Sequence, residues 1–66
     1  MVIPKTRGEL RDKLKDGESC LVASHVSDMT EILLRGWQDC TEFTTRPAPG
    51  RPGWTLFEPT VKQNTD

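Results

Sequence analysis

The order of apolar runs and turn signals predicts a small single α+β domain, arranged helix–strand–helix–strand–strand. Its core is a three-stranded mixed sheet with two helices packed on one face. Three observations carry this. Thr6-Arg7-Gly8-Glu9 has the capping-box form, a threonine followed three residues later by a glutamate, ahead of Leu10 and Leu14 four apart. Ser19–Ser24 is a short apolar run bounded by polar residues, which reads as a strand. Two β-prone segments flank Pro47–Gly53, where three prolines and two glycines exclude both helix and ladder.

Taken in order, Pro4 biases Ile3 toward extended backbone in a short lead-in. In the first helix Glu9 and Lys13 form an i,i+4 pair in the favourable order, and Gly17 is a natural terminator after Asp16. Cys20-Leu21-Val22-Ala23 is apolar enough to be buried on both faces, so it is expected at the centre of the sheet. Ser27 and Asp28 offer N-caps for a second helix, Asp28 with Glu31 as a capping box. Met29, Ile32 and Leu33 fall at i, i+3 and i+4, the stripe expected to face the core. Gly36 closes this helix, and as the C′ residue it would bring Trp37 against Ile32 in a Schellman motif. Glu42–Arg46 and Trp54–Glu58 then read as a hairpin, with Trp54 and Leu56 on one face. Pro59 ends the last strand. The domain therefore spans residues 1–59, and 60–66 reads as a polar tail. A strand–helix–strand unit in one sheet calls for a right-handed parallel crossover.

Sixty-six residues, one-third of them hydrophobic, supply one thin core. A chain this short buries only about 60% of its unfolded surface, and it cannot also line a deep substrate cavity. The net charge of −1 gives no global sign of nucleic-acid binding. Its distribution is uneven: residues 1–16 carry +2, residues 17–45 carry −4 and residues 46–66 carry +1. The acidic middle holds Asp28, Glu31, Asp39 and Glu42, candidates for a face aimed at a basic partner. The N-terminus has no secretory apolar run, no stretch approaches a membrane span, and two cysteines do not make a disulfide framework. A cytoplasmic setting with reduced thiols is expected.

The residues that could carry chemistry are sparse. One histidine, His25, and two cysteines twenty residues apart leave a zinc site short of ligands. Cys20 and His25 stand roughly 15 Å apart at strand rise, too far for a dyad. Neither a phosphate loop, a paired-carboxylate motif nor a G-x-S-x-G elbow occurs. No catalytic, metal or cofactor-binding residue is therefore assigned.

A small non-enzymatic protein-binding module is the expectation that remains, monomeric or weakly dimeric through a sheet edge or Trp37. Its candidate contacts are Asp28, Glu31, Asp39 and Glu42, with Arg46 and Arg51 at the base and tip of the stiff 46–53 loop. Chains of this size class include phage-encoded inhibitors of host machinery, anti-CRISPR proteins among them, which act by covering a surface; no residue motif carries that likeness. The alternative is a trimmed winged-helix-like nucleic-acid-binding protein with the 46–53 hairpin loop as its wing. The six residues between Gly36 and Phe43 are too few for a further recognition helix, and the net charge disfavours phosphate contact.

Overall fold

Two helices and three strands follow the expected order in the computed structural model, which describes residues 2–38 and 40–60. They are α1 (Arg7–Lys15), β1 (Cys20–Ala23), α2 (Ser24–Arg35), β2 (Phe43–Pro47) and β3 (Trp54–Pro59). Residues 61–66 of the expected tail lie outside the described residues, while the Thr60 amide donates to the Glu42 carbonyl at 2.9 Å.

Helix α1 starts and stops as its sequence dictates. The Glu9 amide donates to the Thr6 hydroxyl at 3.1 Å, and the Glu9 carboxylate accepts from the Lys5 amide rather than from Thr6. At the other end the amides of Gly17 and Glu18 reach the carbonyls of Leu14 and Lys13, the paired bonds of a Schellman motif with Gly17 at φ 87°. Leu10 and Leu14 are buried.

The sheet order is β1-β3-β2, so β3 and not β1 is central. The physical reason is the hairpin: Trp54–Pro59 has the longest apolar-rich ladder and pairs antiparallel with both neighbours. β1 and β2 run in the same direction on either side of β3, as the crossover requires, yet every hydrogen-bonded strand pair is antiparallel. The outer side of β1 is covered at one point. Val2 forms a parallel bridge to Cys20, its amide donating to the Ser19 carbonyl and its carbonyl accepting from Leu21. Pro59 lacks an N–H where β1 has already ended, so no ladder bond is lost.

Cys20, Phe43 and Phe57 point from the sheet to Leu10, Leu14 and Leu34 of the helices, forming the main core. The Phe43 and Phe57 rings stack at 5.4 Å. Leu21 and Leu56 face the other way and are closed over by Ala48 and Trp54. That second cluster depends on the loop. Ala48–Arg51 and Arg51–Trp54 are consecutive turns, each closed by an amide-to-carbonyl bond of 3.2 Å. Each has proline at its second position and glycine at its third, with φ of 70° at Gly50 and 86° at Gly53, the form of a type II turn. Two such turns in tandem close the hairpin and leave residues 49–53 exposed, while Ala48 at the base of the loop is buried against the sheet.

Helix α2 departs most from expectation. It begins at Ser24, directly from β1, and Ser27 and Asp28 lie inside it rather than capping it. The Ser24 amide has a partner in the Gly53 carbonyl at 2.9 Å and its hydroxyl pairs with that of Thr55, so the helix starts straight from the strand, with no side-chain cap bond. The Ser27 hydroxyl bonds back to the Ser24 carbonyl. Its end differs too: Gly36 is right-handed at φ −80° and the Trp37 amide reaches Leu34, so the Ile32–Trp37 Schellman pair does not form. Trp37 instead packs against the main core with the Arg7 and Arg11 guanidinium groups over its ring at 5.9 and 5.1 Å.

Candidate functional site

The rotation of α2 is set by its polar residues. Ser24 is held by Gly53 and Thr55, as above. About two turns and three turns further on, Glu31 and Arg35 are tied to β2. The Arg35 Nε donates to Glu31 at 3.0 Å, one Arg35 Nη donates to the Phe43 carbonyl at 3.2 Å, and the Thr45 hydroxyl donates to Glu31 at 3.5 Å. The Arg35 guanidinium also lies 4.3 Å from the centre of the Phe43 ring. Residues 24, 31 and 35 recur along one side of a 3.6-residue helix, and that side carries Ser27 and Leu34 inward with it. Ser27 and Leu34 are the buried residues of the helix.

The consequence is that the stripe expected in the core faces outward. Met29 is 66% and Ile32 71% exposed, and Leu33 and Val26 are exposed as well, whereas Leu34 is 0% exposed. A 100° step per residue spreads Ile32, Met29, Leu33 and Val26 over about a third of the helix circumference, opposite the core. Beside Val26 the face continues into a groove of about 320 Å³ along the free edge of β1. Ile3, Thr30, Ala23 and Trp54 line it, with Lys5 and Arg7 at its rim.

The residues singled out from sequence are distributed around this face rather than gathered into one. Asp28 is exposed on α2 beside the stripe, with no ion-pair partner among the described residues. Glu31 is half-buried and committed to Arg35 and Thr45. Glu42 is exposed just before β2, and Asp39 lies outside the described residues. Arg46 is on the helix-free face of the sheet in a two-pronged ion pair with Glu58, at 3.1 and 3.2 Å. Arg51 is exposed at the junction of the two loop turns. The apolar face itself was missed by reading Met29, Ile32 and Leu33 as a core stripe. The available signal was Val26 and Leu34, which together with that trio put apolar residues round most of the helix, the pattern of a helix covered on two sides.

His25 is exposed on the first turn of α2, Cys20 is buried in β1 and Cys40 is half-buried beyond Trp37. Burial raises the pKa of both thiols above the ordinary 9.0; for Cys20 the Glu18 carboxylate adds to this, while for Cys40 the cations Arg35, Arg11 and Lys15 oppose it. Both are therefore thiols at neutral pH, the unreactive form. Among the described residues no three His, Cys, Asp or Glu side chains converge on a point that could hold a metal ion, and no helix is long and apolar enough to cross a membrane. No protein-family model, curated protein or solved structure matches the chain.

Proposed function

We propose that this chain is a small protein-binding module whose docking surface is the outward face of α2, acting by covering part of its partner. One observation carries the reading: Val26, Met29, Ile32 and Leu33 are exposed on a helix whose opposite side already packs on the sheet. Contiguous apolar surface of this kind is costly to leave in water and marks interaction sites. The contact residues thus shift from the acidic middle to an apolar ridge, with Asp28 retained as its charged flank. A fitting partner has an apolar surface bordered by a cation opposite Asp28. Two unpaired thiols suit a reducing, cytoplasmic compartment.

The test compares what co-purifies from the native host, further copies of the chain included, with the tagged wild-type chain, Ile32→Glu and Arg51→Ala. Loss of the partner with Ile32→Glu and its retention with Arg51→Ala are expected. Retention with Ile32→Glu and loss with Arg51→Ala would instead assign binding to the 46–53 loop.

A further inference from the structure

We infer that the partner of this face is a second copy of the chain, with α2 packed antiparallel on α2 about a two-fold axis. The inference rests on the outward face of α2 being a docking surface and supplies its occupant.

The layout of the helix is self-complementary. A two-fold placed midway between Asp28 and Arg35 sets Met29 of one copy against Ile32 and Leu33 of the other, and the reverse. An isologous interface requires this self-matching order. Asp28 and Arg35 are seven residues apart, so they share one flank of the helix, separated by about 10.5 Å along its axis. A two-fold perpendicular to the helix keeps that flank matched to itself, and Asp28 of each copy then meets Arg35 of the other. Asp28 has no ion-pair partner within the described chain. Arg35 is already held in place by Glu31 and the Phe43 carbonyl, which use its Nε and one Nη. Three of the five guanidinium N–H donors stay unused by those two bonds. The antiparallel arrangement also sets the two helix dipoles head to tail.

Area and charge point the same way. The stripe presents roughly 400 Å² of apolar surface per copy, within the range of the largest patches that monomers carry. Two copies with their polar rims come close to the ~1,200 Å² at which specific interfaces begin. The expected dimer is therefore weak and reversible. A net charge of −1 offers little repulsion between copies. The competing route, pairing along β2, is obstructed. The outward groups of β2 belong to Phe43, Thr45 and Pro47, because Thr44 and Arg46 bond to β3. Of these, the Phe43 carbonyl is capped by Arg35 and Pro47 has no N–H.

Sedimentation of the purified full chain from about 10 μM to 1 mM, a span that brackets a weak complex, tests the inference. The wild-type mass is expected to rise from 7.5 kDa toward twice that value. Ile32→Glu should remain monomeric across the range with an unchanged dilute circular-dichroism spectrum, because residue 32 is exposed in the single chain. Asp28→Lys, which sets a cation opposite Arg35, should weaken association about ten-fold. Thr44→Glu, exposed on the opposite face, should associate as the wild type does. A wild-type chain that stays monomeric at 1 mM overturns the inference. If Ile32→Glu nonetheless loses a host protein, the docking surface stands with a different occupant. If Ile32→Glu changes neither mass nor capture, both readings fall.

Discussion

Leu34→Ala and Ile32→Ala should differ several-fold in their cost to stability although the two residues are two positions apart on one helix. Leu34 is wholly buried among Leu10, Leu14, Phe43 and Phe57, so truncation leaves a cavity that a thin core refills poorly. Such changes cost about 2–5 kcal/mol. A domain of 66 residues has a total stability of about 3–10 kcal/mol. Leu34→Ala therefore removes a large share of it, and the melting temperature should fall by about 8–40 °C. Ile32 is 71% exposed. Its truncation loses at most about 0.5 kcal/mol of burial, part of which the better helix propensity of alanine offsets. The assay is urea unfolding of each variant followed by circular dichroism at about 1 μM, where association does not contribute. Equal destabilisation by the two substitutions, or a greater loss from Ile32→Ala, would show that α2 is turned the other way, and the docking face would go with it.

Three further outcomes follow from separate parts of the fold. Gly53→Ala should cost about 1–2 kcal/mol in the same unfolding assay. A Cβ there meets nothing within 4 Å, so the cost lies in the φ of 86° alone; a neutral result would mean the second loop turn is not formed. Arg35→Ala should cost about 1 kcal/mol, since it leaves the Phe43 carbonyl without its donor and uncovers the Phe43 ring. Arg35→Gln should recover part of this, because it keeps a donor, and equal losses for both variants would point to packing alone. Stability should also fall as pH rises above the ordinary thiol value of 9.0. The folded thiols, raised by burial, keep protons that the unfolded chain gives up, so the unfolded state gains from base. Cys20→Ser should flatten that alkaline slope, and an unchanged slope would exclude the buried thiol as its source.

Local signals in this chain were legible where the sequence itself closes a structure. Thr6 and Glu9 cap α1, and Gly17 ends it. The Pro/Gly run makes the hairpin, again through contacts between near neighbours, and the four-residue spacing of Leu10 and Leu14 marks the face that goes inward. The orientation of α2 was not legible, because it depends on partners far along the chain. The Ser24 amide is satisfied by Gly53, and Arg35 and Glu31 by β2, none of which a periodicity count can see. Reading Met29, Ile32 and Leu33 as the core stripe followed the rule that apolar residues at helical spacing face inward, and here polar anchors overrode it. The central place of β3 was missed for a similar reason. Composition favoured Cys20–Ala23, but the hairpin partner and the crossover fix the order in space. The candidate site was accordingly half visible: Asp28 was named from charge, whereas the apolar residues beside it were assigned to the interior.

Solvent relaxation of methyl signals tests the outward face of α2 most directly. In the dilute, isotopically labelled chain with a soluble paramagnetic probe, the methyl groups of Met29 and Ile32 should broaden strongly while those of Leu34 and Leu14 stay sharp. At high concentration Met29 and Ile32 should regain protection as copies associate. Broadening of Leu34 with protection of Ile32 in the dilute chain would contradict the account.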